Sequence, residues 1–129
     1  MALATVLLGL ASAGCAGGGE RAAGAPAAAI GFERALERDD PKAVCVTLAP
    51  GTRDELEESE RAPCHVGIDA EELSPGGPVR TVDVYGNQAR VVLESDTLFL
   101  SRFPDGWKVV AAGCEPEPGS PYRCTVKGG

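Results

Sequence analysis

The stretch VRTVDVYGNQARVVLESDTLFLSRFPDGWKVVAAG, residues 79–113, decides the fold. Val79–Tyr85 is rich in Val, Thr and Tyr, the residues that suit a pleated, half-buried strand. Gly86-Asn87 is a tight hairpin signal. In Ala89–Ser95 the residues Ala89, Val91 and Leu93 alternate with Arg90, Val92 and Glu94, which is the two-residue period of a strand. Ser95-Asp96 makes the next turn, and Thr97–Phe103 is the third run. Pro104-Asp105-Gly106 turns the chain again, with Pro setting φ and Gly taking the left-handed position. Trp107–Gly113 is the fourth run. Connections this short join neighbouring antiparallel strands, so the stretch predicts a meander.

Upstream the period becomes helical. Ala29–Arg38 places Ile30, Ala35 and Leu36 near one stripe with Phe32 beside it, and assigns Glu33, Arg34, Glu37 and Arg38 to the solvated face. Asp40 is suited to cap a second helix, Pro41–Leu48, in which Val44, Cys45 and Leu48 point inward. Thr52 is placed to cap a third, Arg53–Glu60, with Glu55 three residues on as in a capping box. Leu56 is its only apolar anchor. Downstream, Glu115–Ser120 reads as a Pro/Gly-rich connection, and Pro121–Lys127 as a short edge strand pinned by Cys124. Helices followed by a meander make an α+β domain, with N-terminal helices packed on the concave side of a curved sheet of four to five antiparallel strands.

The composition limits what such a domain does. The chain has 129 residues and a net charge of −7, from 12 basic and 19 acidic side chains. That length suits one domain, and the acidic balance argues against nucleic acid as a partner. Nineteen of the hydrophobic residues are alanines and six residues are aromatic, so bulky apolar surface is scarce and a cross-link would help the core. A single histidine, His65, excludes multi-histidine metal sites.

Residues 1–19 carry no charged side chain. An apolar run, Ala2–Leu10, precedes a run of small residues, which is the layout of a signal peptide. It is too short and too glycine-rich for a spanning helix. Leu10-Ala11-Ser12-Ala13-Gly14-Cys15 resembles a bacterial lipobox, which implies cleavage after residue 14 and lipid (diacylglyceryl and palmitate) on Cys15. The basic n-region usual in such leaders is missing, and Ser12 stands where Leu or Val is preferred. A plain secretory signal and an uncleaved anchor helix are the alternatives. Two acyl chains hold a protein stably at a membrane, so the expected location is the extracytoplasmic face of the cell membrane. Residues 15–28 read as a lipidated flexible tether that sets a domain of residues 29–129 about 20 Å from the lipid.

Beyond Cys15 four cysteines remain, Cys45, Cys64, Cys114 and Cys124. An even number in an exported chain implies disulfides. Three connectivities are possible, and sequence proximity favours Cys45–Cys64 with Cys114–Cys124. No C-x₂-C spacing suggests a metal or a redox pair.

Phe32–Asp39, Cys45, Cys64, the Gly-Trp-x-Val-x-Ala-x-Gly-Cys stretch ending at Cys114, and Pro121-Tyr122-Arg123-Cys124 together resemble a group of small actinobacterial lipoproteins. The resemblance covers residues 29–129 and implies a nuclear-transport-factor-2-like (cystatin-like) cone. Enzymes of that architecture, the ketosteroid isomerases and polyketide cyclases, place a carboxylate and a tyrosine in the cone. The matching candidates here are Asp83 as base and Tyr85 as donor, on one face of the first strand with Thr81. The opposing reading is that this is simply the solvated face of an alternating strand.

Other candidates carry less. His65 reads as a surface residue, and Ser12 and Ser101 lack a triad partner. Asp69, Glu71 and Glu72 lack calcium-loop spacing, and the acidic run Asp54–Glu60 is a hydrated helix face or a surface for a basic partner. Trp107 reads as an anchor of the sheet. No phosphate-binding loop is present, so no cofactor is implied. The expectation is a non-enzymatic, membrane-tethered module that binds a partner protein or a small apolar ligand. An isomerase or cyclase using Asp83 and Tyr85, and a purely structural envelope lipoprotein, are the alternatives.

Overall fold

The computed structural model describes residues 16–128, in which four helices precede five strands. The helices are α1 Ala16–Glu37, α2 Pro41–Thr47, α3 Pro50–Glu60 and α4 Cys64–Ala70. The strands are β1 Val79–Tyr85, β2 Gln88–Leu93, β3 Thr97–Phe103, β4 Gly106–Glu117 and β5 Ser120–Lys127. All five form one open antiparallel sheet in sequence order, the meander expected from residues 79–113 with one more hairpin added. The expected signal peptide (1–14) and Cys15 lie outside the described residues. Among the described residues, no helix is long and apolar enough to cross a membrane.

Register fixes the two faces of the sheet. Val84, Ala89, Leu100 and Val109 stand opposite one another across four strands. Their neighbours Asp83, Arg90 and Phe99 are likewise opposite one another, and therefore on the other face. The first set faces the helices, and Ala89, Leu100 and Val109 are buried there with Val91, Leu98 and Val126. Phe32 of α1, Val44 of α2, Leu56 of α3 and Ile68 of α4 fill the same core.

Residues 16–28 are not the expected flexible chain, because α1 runs through them. The buried stripe is Ala25, Ala29, Phe32 and Ala35, at helical spacing, whereas Ile30 is 39% exposed. The packed domain therefore begins before residue 29. Gly24 explains the close approach: a Cβ there would lie 2.6 Å from Cδ1 of Trp107. The indole thus rests against bare helix backbone, and Trp107, 9% exposed, is the anchor its position suggested.

Three local expectations change as well. Helix α3 starts at Pro50 with Ala49 at its cap and no side-chain capping bond. Thr52 is buried within its first turn, and its hydroxyl donates to the carbonyl of Val110 at 2.9 Å. A fourth helix, α4, buries Cys64, Gly67 and Ile68. The Pro/Gly-rich connection at 115–120 is largely strand, since β4 reaches Glu117 and β5 starts at Ser120. Asp40 caps α2 as expected, accepting from Ala43 N–H at 3.1 Å.

Both disulfides join the cysteines that sequence proximity favours. Cys45–Cys64 ties α2 to α4, and Cys114–Cys124 links register partners on β4 and β5. Helices of seven residues are unstable alone, so the first bridge matters more. The double variant Cys45→Ala/Cys64→Ala is expected to lose about 3 kcal/mol in urea unfolding. A loss below 1 kcal/mol would show that packing alone holds α4.

Candidate functional site

Glu33 does not lie on the solvated face of α1. Its place four residues after Ala29 sets it at the flank of the buried stripe, and it is only 5% exposed. The chain leaving α4 returns past it. Gly76 N–H donates to Oε2 of Glu33 at 2.6 Å. The same segment is held to the β2–β3 turn, where Ser95 N–H donates to Gly76 O and Glu94 N–H to Pro78 O. A Cβ on Gly76 would come within 2.7 Å of both Asp96 and Leu93, so only glycine brings the amide this close to the carboxyl.

The second oxygen, Oε1, is buried and has no hydrogen-bond partner among the described residues. A buried polar atom without a partner costs free energy and calls for an explanation. Burial pushes the Glu33 carboxyl up to about 7; the Gly76 bond pulls the other way, and the charges of Asp96 and Glu37 add to the rise. Near neutral pH the group is therefore poised between a proton donor and an anion.

Glu33 lines a groove of about 440 Å³ between α1 and the chain entering β1. Ile30, Pro78, Val79 and Leu93 supply apolar walls, and Glu37 and Arg34 stand on the helix side. Its size falls within the range of small-molecule sites, roughly 300–1,000 Å³, and its single buried polar group is of the kind that orients a ligand.

The residues singled out in the sequence do not converge. Asp83 accepts both Nε and Nη2 of Arg90, at 3.2 and 2.7 Å, on the sheet face turned away from the helices. Tyr85 is 71% exposed on the same face, so the pair does not line a cone interior. On that face Phe99 meets Tyr122 edge-to-face at 5.0 Å. His65 lies on α4, which packs on α2 and α3, while Ser101 belongs to β3.

Asp69 and Glu72 line a second groove of about 340 Å³ with Asp39 and Asp40. Among the described residues no group of three or more metal-ligating side chains could hold an ion. Glu71 is raised above the ordinary carboxylate range, first by a hydrogen bond with Glu60 and then by burial. The acidic run of α3 is solvent-facing apart from its end, with Asp54, Glu55, Glu57 and Glu58 exposed.

Glu33 was the residue that sequence reasoning missed. Its signal was present only if the stripe is extended back to Ala25, which requires reading a Gly- and Pro-containing segment as helix. Comparisons with protein-family models, with curated proteins and with solved structures find no match to the chain.

Proposed function

We propose that this chain is a lipid-anchored protein on the extracytoplasmic face of the cell membrane. Its cystatin-like α+β domain acts as a non-enzymatic module that binds a small ligand in the Glu33 groove. The observation that carries the binding reading is Glu33 itself, a carboxyl only 5% exposed that lines a partly apolar groove, with Oε1 unpartnered among the described residues. A purely structural domain gains nothing from a carboxyl held out of water at this cost, whereas a groove wall that carries one has a polar group with which to orient a ligand. A helical layer packed on a five-stranded antiparallel sheet, with α1 and α3 directly against the strands and α2 and α4 packed on them, supports the cone architecture. The export reading is supported by the lipobox-like Leu10–Cys15 and by two disulfides that pair all four remaining cysteines.

The anchor is tested by Cys15→Ser. The expected result is release of most of the protein from membranes into the medium, read by fractionation. Retention at the unmodified level would reject lipid anchoring. The groove is tested by native followed by denaturing mass spectrometry of the protein extracted from its own membranes. A non-covalent mass is expected on the unmodified chain and not on Ile30→Trp, which fills the groove from an exposed position. An equal mass on both would move the site elsewhere.

A further inference from the structure

Four of the six aromatic residues stand on the sheet face turned away from the helices. Tyr85 and Phe99 are there by register, Phe103 by its two-residue spacing from Ser101, and Tyr122 by its contact with Phe99. Tyr85 is 71% exposed, and the other three are half-buried. The core takes the other two, Phe32 and Trp107, although bulky apolar side chains are scarce. Rings of this kind are enriched where one protein surface meets another. We propose that this face docks a second copy of the chain, giving a two-fold symmetric dimer that packs sheet on sheet.

Charge decides how two copies can meet. Residues 1–72 hold 13 acidic and 6 basic side chains, and residues 73–129 hold 6 of each. The whole net charge of −7 therefore lies on the helical half, and the half that carries the sheet is neutral. Copies that meet through their sheets keep the acidic halves apart, whereas contact through the helices would set like charges together. Within the sheet, Asp83 is paired with Arg90, Lys108 with Asp105, and Arg123 with Glu117. Lys127 lies on the β5 margin, opposite Ala111.

The register makes the face complementary to itself. Two rows cross it, Tyr85–Gln88–Ser101–Lys108 and Asp83–Arg90–Phe99–Ala111. A two-fold axis running along the strands between β2 and β3 sets each Gln88 against Ser101 of the other copy, and each Arg90 against Phe99 of the other copy. The first pair offers a hydrogen bond, and the second is a cation–π contact. Farther from the axis Tyr85 meets Lys108 and Asp83 meets Ala111, so no like charges face each other. Packed sheets cross at about 30°, so the pairs nearest the axis align best. Four strands about 4.8 Å apart, each about seven residues long at about 3.3 Å per residue, present roughly 450 Å² in projection. Two copies together bury about 900 Å², near the roughly 1,000 Å² at which specific interfaces begin. The dimer is therefore weak, with a Kd on the order of 10 µM. The Glu33 groove, between α1 and the chain entering β1, stays open in it.

The test is sedimentation equilibrium of the full chain carrying Cys15→Ser, from about 1 to about 200 µM, a range that brackets the expected Kd. The expected result is a monomer–dimer equilibrium that stops at two copies. Two variants place like charges at the axis, Gln88→Lys/Ser101→Lys and Gln88→Glu/Ser101→Glu. Gln88 is exposed and Ser101 half-buried, so neither variant disturbs the core. Each alone is expected to dimerise at least about tenfold more weakly, and their equimolar mixture to recover the dimer to within about threefold of the parent chain. Amide shifts of the parent chain on dilution carry the same test without touching the face. Tyr85, Gln88, Arg90, Phe99 and Ser101 should move while α4 stays still. A monomer at about 200 µM, a dimer indifferent to both variants, a mixture no better than its parts, or dilution shifts confined to the helices would overturn the proposal. So would a monomer in which the same amides respond to cellohexaose, which would make the face a carbohydrate site.

Discussion

Phe32→Ala is expected to lower the stability of the domain by about 3–5 kcal/mol, the usual loss when a fully buried phenyl ring is removed and the cavity does not close. Phe32 is completely buried, and it is the largest apolar side chain that α1 sends into the core. The small residues around it on the same helix, Ala25, Ala29 and Ala35, have little volume with which to refill the space. Total stabilities of small domains are about 5–15 kcal/mol, so this single change takes a large part of the whole. The measurement is urea unfolding with both disulfides intact. Ile30→Ala, two residues away and 39% exposed, should cost less than about 1 kcal/mol in the same experiment. Equal losses at the two positions would mean that the phase of α1 is wrong.

The second large effect is a reversal. Glu33→Gln is expected to stabilise the protein at pH 8 by up to about 3 kcal/mol, although it alters a buried, hydrogen-bonded side chain. The carboxyl lies at about 7 in the folded protein against an ordinary value of 4.5. The folded state therefore holds its proton more tightly than the unfolded chain does. Its contribution is fully present below about 4.5 and is lost as pH rises from there through about 7. Above that window a buried charge has, among the described residues, the Gly76 N–H as its one hydrogen-bond donor. Gln keeps an oxygen for Gly76 and carries no charge to bury. The two proteins should be nearly equally stable at pH 4 and diverge steadily up to about pH 7.5. Parallel stability curves across that range would show that Glu33 is not the group that titrates. Destabilisation by Gln at every pH would show that the environment of Oε1 cannot take an amide.

Much of the sheet was legible because strand signals are local. The alternation in Ala89–Ser95, the Gly86-Asn87 hairpin and the Pro104-Asp105-Gly106 turn each act within a few residues, and together they specify the meander. The cap at Asp40 is equally local. The same signals were misleading where tertiary contacts outweigh them. Gly and Pro in residues 16–28 argue against a helix, at about 1 and 3 kcal/mol each in a helix interior. Yet Gly24 is what lets the helix backbone meet Trp107, more than eighty residues away in the chain. Thr52 looked like a cap and instead bonds to Val110 across the domain.

The candidate site was the least legible part. Glu33 resembled any charged residue on an amphipathic helix, with Glu37 four residues on. Its burial depends on a loop from beyond α4, on Gly76 fitting against Leu93 and Asp96, and on the β2–β3 turn that holds that loop in place. None of these partners is near it in sequence.

By itself, then, the sequence determined the α+β class, the order of helices before strands, the strand turns and the favoured cysteine pairing. These follow from short-range periodicity, turn chemistry and chain proximity. Only the tertiary structure decided how far α1 extends, that Asp83 and Tyr85 face away from the helices, and that Glu33 is buried with one oxygen unpaired among the described residues. Those outcomes depend on which distant surfaces meet, and burial free energy there exceeds the local preferences of single residues.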